Sequence, residues 1–392
     1  MSDPDQHYPY TAQEALLQGQ GYTLFMRPSL GQWRDSQVPT VLLAECSRIS
    51  PGASVLHMHC GTGLAGAFAA RLAPGGQVTL LDAHCVALEA ARRTLAANRM
   101  TNATTALSDC AQVVLNRTFD TVMSLLPKGR AVWEQTILDA ATVLRDGGDF
   151  FLAGANKAGI KSAARFVERT FGEVRVLAYR GGCRVVCASK GEGVVSPASD
   201  YYTWQNVTAQ VDDETLRYVT KPGLFSWERV DDGTRLLIQA LRAHPLNLND
   251  HVLDIGCGTG VLTLYAARQA PDGQMTAVDV DCRAVEATRR TLALNQITNA
   301  QVKLSDCGEA VQNQAFSAVI TNPPFHREQA NTYVIADQII RDAARLLEAG
   351  GRLYLVANSF LKYRPMIETA FGNATILRET GKFKVWHATK MR

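Results

Sequence analysis

The chain has no stretch of eighteen or so apolar residues, and its opening, MSDPDQHYPY, has neither a basic patch nor an apolar core. A membrane-spanning helix and a secretory leader are therefore not expected, and the expected compartment is the cytoplasm. It also lacks the paired, closely spaced cysteines of a disulfide framework. Its nine cysteines are odd in number and widely scattered, the usage of a protein with reduced thiols. Cys183 and Cys187 stand four apart in a strand-like run without a second pair or neighbouring histidines, so they read as core residues and no metal is expected. Charge of one sign is scarce as well, the formal excess being only +3. What is abundant is apolar residue, 46% against 20% charged, which marks a globular protein able to fold alone. At 392 residues it is too long for one ordinary core, and two domains are the simplest division.

The sequence repeats itself. SVLHMHCGTGLAGAFAARLAPGGQVTLLDAHCVALEAARRTLAANRMTNATTALSDC from Ser54 aligns without a gap on HVLDIGCGTGVLTLYAARQAPDGQMTAVDVDCRAVEATRRTLALNQITNAQVKLSDC from His251, with more than half the positions identical. The match extends upstream, RPSLGQW from Arg27 against KPGLFSW from Lys221, and downstream, LRDGG from Leu144 against LEAGG from Leu347. Each copy alternates short apolar runs (VLDI, MTAVDV, SAVITN, RLYLVAN) with helical patterns such as DCRAVEATRRTLALNQ. That alternation predicts an α/β fold, a mainly parallel sheet with helices on both faces, made twice in tandem. The polar stretch from Gly191 to Gln205, punctuated by Gly, Ser and Pro, is the expected linker, dividing the chain into residues 1–195 and 196–392.

The copies differ where a nucleotide-like cofactor would bind, at the carboxyl ends of the strands. The second has Asp254, Gly256, Gly258, Gly260 and then Asp279; the first has His57, His59, Gly61, Gly63 and Asp82. A glycine turn after a strand lets backbone approach a ligand, and an acid about twenty residues on is placed for both hydroxyls of a ribose. The spacing Gly256-x-Gly258-x-Gly260, with Val261 following, departs from the dehydrogenase fingerprint. Asp254 would also repel a pyrophosphate while tolerating a cationic amine and sulfonium, so S-adenosylmethionine suits this loop better than NAD. Asp306, after QVKLS, is placed either to accept from the adenine amine or to cap a helix. Cys257, inside the loop, has its match in Cys60 and reads as packing rather than a nucleophile.

The most informative run is Asn322-Pro323-Pro324-Phe325, where the first copy has Leu125-Leu126-Pro127-Lys128. An aryl amine shares its lone pair with the ring, and attacks a methyl group only when acceptors hold its N–H bonds and turn that pair outward. The Asn322 amide oxygen and the Pro323 carbonyl can be those acceptors, pre-aimed by two prolines that fix the backbone. Positioning then carries much of the catalysis, no strong base is required, and Phe325 stacks on the base. The plain alternative is a Pro-Pro turn ending a buried strand.

These residues resemble class I methyltransferases that act on planar NH₂ groups, whose signature is [DN]-P-P-[FYW]. With TKPGLFSWERVDDGTRLLI from Thr220, TNPPFH from Thr321, LYLVANSFLKY from Leu353 and GKFKVWHATK from Gly381, the chain is similar over nearly its whole length to the bacterial guanine-N2 ribosomal RNA methyltransferases. Lys362, in FLKY, departs from the proline many relatives carry. The resemblance implies two tandem class I (Rossmann-like) domains, the first degenerate and supporting RNA, the second catalytic. It implies S-adenosylmethionine as cofactor and the N2 amine of a guanine in ribosomal RNA as target, with 16S RNA or the small subunit ahead of 23S RNA; a monomer is expected. It makes Asn322, Pro323 and Phe325 the base clamp and Gly256, Gly258 and Asp279 the cofactor loop; from the residues themselves, Pro324 joins the expected clamp, and Asp254, Gly260 and Asp306 join the expected cofactor site. His326 either contacts the base or stands exposed in a loop. Phe225 and Ser226 either cover the cofactor or lead into a helix near Asp232-Gly233-Thr234. Rival readings are DNA adenine or protein glutamine methylation, which use the same motif, a non-catalytic RNA-binding assembly factor, and a NAD-dependent dehydrogenase.

Basic residues gather in the first copy: Lys157, Lys161, Arg165, Arg169, Arg175, Arg180, Arg184 and Lys190 face only Glu168 and Glu173, whereas the second half carries no net charge. Lys157, Lys161, Arg165 and Arg169 recur every four residues, which predicts one helical face opposite Ile160, Ala164, Phe166, Val167 and Phe171. That face is either a solvated surface or a track for ribosomal RNA phosphates.

Overall fold

The computed structural model describes residues 7–30, 33–114, 116–194, 203–324 and 330–391, with backbone alone for 33–35, 112 and 330–332. The chain divides into two compact units, Pro9–Tyr202 and Thr203–Arg392, the latter joined by the chain's first residues, of which His7 and Tyr8 are described. Most of the expected linker, residues 195–202, lies outside the described residues.

The first unit opens on a hairpin, β1 (Thr11–Leu17) and β2 (Gln20–Met26), followed by α1 (Trp33–Cys46). The repeat proper then runs β3 (Ser54–Met58), α2 (Leu64–Leu72), β4 (Gln77–Asp82), α3 (Cys85–Ala97), β5 (Ala103–Leu107), β6 (Phe119–Leu125), α4 (Arg130–Val143), β7 (Leu144–Ala155), α5 (Ile160–Phe171), β8 (Arg175–Arg180) and β9 (Cys183–Ser189). The second unit repeats this plan: hairpin β10 (Gln205–Val211) and β11 (Glu214–Thr220), then α6 (Asp232–Ala243), β12 (His251–Ile255), α7 (Val261–Gln269), β13 (Gln274–Asp279), α8 (Cys282–Leu294), β14 (Ala300–Leu304), β15 (Phe316–Thr321), α9 (Ala330–Leu346), β16 (Leu347–Asn358), α10 (Arg364–Phe371), β17 (Thr375–Glu379) and β18 (Phe383–Thr389).

Each unit forms a seven-stranded sheet, in the orders β5-β4-β3-β6-β7-β9-β8 and β14-β13-β12-β15-β16-β18-β17. The first five strands in each order run parallel and the last two form an antiparallel hairpin, so that only β9 and β18 run against the rest of their sheets, an ending that the alternating pattern alone does not announce. The central strands are apolar almost throughout because both faces are covered. In the second unit Leu237 of α6 and Leu264 of α7 are buried on one face, and Ile340 of α9 and Ile367 of α10 on the other. The first unit does the same with Leu43 and Leu64 on one side, Ile137 and Val167 on the other. All nine cysteines are free; Cys183 and Cys187 are buried core residues of β9. Among the described residues no helix is long and apolar enough to cross a membrane.

Candidate active site

In the second sheet the chain leaves β12 towards β13 and β14 on one side, then returns to lay β15 on the other. This reversal opens a crevice beyond the carboxyl ends of β12 and β15, where open α/β sheets bind ligands. Ile255 and Thr321 pair in register at those ends, and the Thr321 hydroxyl donates to the Ile255 carbonyl at 2.8 Å. The residues that follow them, Gly256 and Asn322, are therefore brought to one place although 66 residues apart in pairing.

The glycine loop divides by what each glycine does. Gly260 has φ 78°, and a β-carbon there would lie 2.9 Å from the Thr288 backbone of α8, so it allows α7 and α8 to pack closely. Gly256 has φ 81° with nothing within 4 Å of where its β-carbon would be, so the side bearing that hydrogen is open to a ligand. Asp279 holds the loop down: its carboxylate accepts from the Gly258 and Asp281 backbone N–H groups, both at 3.0 Å. Each carboxylate oxygen has two lone pairs, so this anchoring leaves acceptor capacity for ribose hydroxyls.

Asp254 is wholly buried at the end of β12; one oxygen accepts from the Thr263 hydroxyl at 2.6 Å, and Oδ1 has no hydrogen-bond partner among the described residues. Burial, with the neighbouring Asp279 charge, pushes its carboxyl up to about 7. An orphaned buried acid beside an open glycine is a place where a cation is welcome, and the cationic amine and sulfonium of S-adenosylmethionine fit it. Cys257 is buried, its thiol takes a hydrogen bond from Thr288 at 3.2 Å, and burial raises its pKa well above the usual thiol range. It packs, as its match in the first copy suggests, and is no nucleophile.

Asp306 has a partner that the sequence did not disclose. Tyr8, buried in this unit, donates its hydroxyl to Asp306 Oδ1 at 2.8 Å, while its backbone N–H donates to Gln338 and His7 lies 3.2 Å from the Asp306 carbonyl. Burial raises the Tyr8 phenol, so it stays protonated and donating. The short helical turn Glu309–Val311 that follows is served instead by Asp342, which accepts from Gly308 at 2.9 Å.

Asn322 follows β15 directly. Its Nδ2 donates to Asp231 Oδ2 at 3.2 Å and to Thr234 Oγ1 at 3.0 Å. Asp231 is the N-cap of α6, its Oδ2 accepting from Gly233 and Thr234 N–H. Pro323 is buried and Pro324 exposed. Phe325 and His326 lie outside the described residues. Phe225 is exposed, and the Ser226 hydroxyl donates to the Arg229 carbonyl at 2.7 Å, closing the turn that leads into α6.

The first unit's matching crevice is altered in a coordinated way. His59 takes the place of Gly256 at φ 50°, and its Nε2 lies 2.9 Å from Thr136 Oγ1, so an imidazole stands where the second copy is open. His57 replaces Asp254, fully buried with neither ring nitrogen partnered among the described residues, and burial lowers its pKa to about 3. Thr263 is replaced by Gly66, whose β-carbon would lie 3.1 Å from His57 Nδ1. Asp82 is retained and holds Gly61 and His84 as Asp279 holds its own loop.

The basic stripe needs one correction. Lys161, Arg165 and Arg169 are exposed on α5, but Lys157 belongs to a separate turn, Asn156–Ala158, because Gly159 at φ 98° interrupts the helix between them. The four-residue spacing runs through a break it cannot see. The buried side is Ile160, Ala163, Val167 and Phe171; Ala164 and Phe166 flank it half-buried, with Arg169 lying over the Phe166 ring. Arg175, Arg180, Arg184 and Lys190 are engaged by Ser189, Glu45, Asn156 and the Leu144 carbonyl respectively.

The sequence model of the methyltransferase small domain matches residues 33–187 and 215–387, once in each unit. Ribosomal RNA small subunit methyltransferase C of Pseudomonas entomophila (strain L48) is 34% identical over 276 residues, 69% of this chain and 80% of that protein. The protein of the same name from Yersinia pseudotuberculosis serotype IB (strain PB1/+) is 34% identical over 270 residues, 69% of this chain and 74% of its own. The solved T. thermophilus 16S rRNA N2 G1207 methyltransferase, in complex with AdoMet and guanosine, has a TM-score of 0.80 and 27% identity, spanning 97% of this chain and 98% of that one.

Proposed function

The chain belongs to the methyltransferase small domain family, and on that premise we propose that its second unit methylates the exocyclic N2 amine of a guanine in 16S ribosomal RNA, with S-adenosylmethionine as cofactor. The observation that carries this reading is Asn322. With its Nδ2 given to Asp231 and Thr234, the amide oxygen is the atom left to accept a substrate N–H. Likeness to an enzyme solved with AdoMet and guanosine supports the choice of base, and the two small subunit relatives support the choice of RNA.

When bound, the cofactor supplies the electrophilic methyl group. Asp254, Gly256, Gly258, Gly260 and Asp279 hold it, with Asp306 at its adenine end. Asn322 Oδ1 and the Pro323 carbonyl accept the two N–H bonds of the target amine and turn its lone pair outward. Pro323 and Pro324 keep that geometry without a mobile loop. Phe325 stacks on the base, His326 adjoins it, and the methylated ammonium loses its proton to water. Lys157, Lys161, Arg165 and Arg169 of the first unit hold RNA phosphates while the base is flipped out. The protein works in the cytoplasm as a monomer and needs no metal. Mapping modified nucleotides in 16S RNA from cells lacking the protein tests the reading. One guanine should lose its N2 methyl group and regain it when the gene is returned; a 16S RNA with unchanged methylation overturns it.

A further inference from the structure

We propose that Asp231 and Thr234, at the start of α6, are positioning residues that fix which way round the Asn322 amide stands; this rests on the catalytic reading of Asn322. An asparagine amide has two nearly isosteric ends, and only one of them can accept a substrate N–H. Rotated by half a turn, Asn322 would present a donor to a donor. Asp231 decides between them, because a carboxylate only accepts: the end 3.2 Å from its Oδ2 must be the NH₂. Thr234 Oγ1, at 3.0 Å, takes the other proton of the same NH₂. The amide is thereby held by two acceptors from one helix end, and its oxygen points away from both.

The support is itself built rigidly. Asp231 Oδ2 also accepts from Gly233 N–H at 2.8 Å and Thr234 N–H at 3.3 Å, so one oxygen caps the helix and orients the clamp. Gly233 makes room for this: a β-carbon there would lie 2.9 Å from that oxygen and 3.2 Å from the Phe383 ring. In the first copy WRDSQVPTVLL from Trp33 matches WERVDDGTRLL from Trp227, placing Gln37 opposite Asp231, Pro39 opposite Gly233 and Thr40 opposite Thr234. There α1 begins at Trp33 and runs through Gln37, so the position is helix interior and the cap is gone. The copy whose Asn322 became Leu125 has lost the carboxylate that would have oriented it.

The test separates orientation from helix stability. Serine caps a helix about as well as aspartate but is too short to reach Asn322, and valine keeps the shape of threonine without its hydroxyl. The double variant Asp231→Ser/Thr234→Val should lower kcat on 16S RNA on the order of tenfold or more, with KM for RNA, cofactor affinity and melting temperature nearly unchanged. Asp231→Asn, whose amide oxygen can take the same three donors, should retain most of the activity. In an Asn322→Ala background the Ser/Val pair should cost nothing further, because its effect passes through the missing amide. A wild-type kcat for the Ser/Val pair, or a full multiplicative loss on top of Asn322→Ala, overturns the positioning role while leaving Asn322 catalytic. Retention of activity by Asn322→Ala alone overturns the clamp itself.

Discussion

The two halves of the chain are a comparison made within one molecule, and what the altered copy keeps is as instructive as what it loses. It keeps Gly63, where a β-carbon would strike Ala91 at 2.7 Å, as the second copy keeps Gly260 against Thr288. It keeps Asp82, which pins its glycine turn by the same two N–H groups as Asp279. These are demands of folding, met in both units. Gly256 and Asp254 are lost, and both bear on the ligand side: Gly256, whose φ of 81° itself favours glycine, has open space at its missing β-carbon, and Asp254 has a buried oxygen without a partner among the described residues. Asn322 and Asp231 are lost with them. The repeat thus separates residues that build the turn in both units from residues that the second unit alone retains.

The sharpest way to strain this comparison is to remove the clamp alone. Asn322→Ala should reduce turnover on the order of a hundredfold or more with cofactor affinity intact, measured by tritium transfer to 16S RNA and by calorimetry. Near-normal transfer would mean the second copy does its chemistry elsewhere.

Next, the second copy can be given the first copy's residue. Gly256→His places a side chain at φ 81° where, unlike at His59, the helix offers isoleucine in place of the Thr136 hydroxyl. S-adenosylmethionine binding should weaken between about tenfold and a hundredfold, from backbone strain and the filled approach. Titration of the unaltered protein should show one site per chain, and two equivalent sites would erase the contrast between the halves.

A gentler probe is pH, because the matched residues titrate in opposite senses. Asp254 at about 7 must be ionised to receive a cation, so cofactor affinity should be steady above that pH and fall roughly tenfold per unit below it. In the ligand-free protein the same raised carboxyl favours the folded second unit at low pH, a contribution lost as pH rises towards 7. His57 does the reverse. Its pKa of about 3 lies below the unfolded imidazole value, so the first unit is weakened as pH falls from about 6.5 towards 3. Flat cofactor affinity between pH 6 and 8, roughly spanning that pKa, would remove Asp254 from the binding account.

The smallest expected effect concerns the job left to the first unit. Reversing Lys161, Arg165 and Arg169 to glutamate should weaken RNA binding and flatten its dependence on salt without altering cofactor binding. An unchanged affinity and salt slope in a well-folded triple variant would leave that face as ordinary surface.

Much of this was legible in the sequence because it is written in local periods and in the repeat. The alternating elements, the two sheets, the glycine turn and the Asn-Pro-Pro run all depend on neighbours a few residues apart. The supports were not legible, because they join distant residues. Asn322 meets Asp231 across 91 positions, and no spacing rule links a helix cap to a strand end. The run Asp232-Gly233-Thr234 did signal a helix entry, but the working residue is Asp231, one position earlier. The stripe on α5 shows the opposite failure, a regular spacing that continues through Gly159 although the backbone turns there.

The contact between Tyr8 and Asp306 joins residues 298 positions apart, inside a unit whose other described residues begin at Thr203. In the order of synthesis, this piece of the second unit is made before the first unit and waits for its place until that unit is finished. Cutting the duplication at its seam consequently does not yield two complete halves. A fragment beginning near Thr203 carries Asp306 without the Tyr8 hydroxyl that donates to it, and the gene's apparent joint is not the protein's.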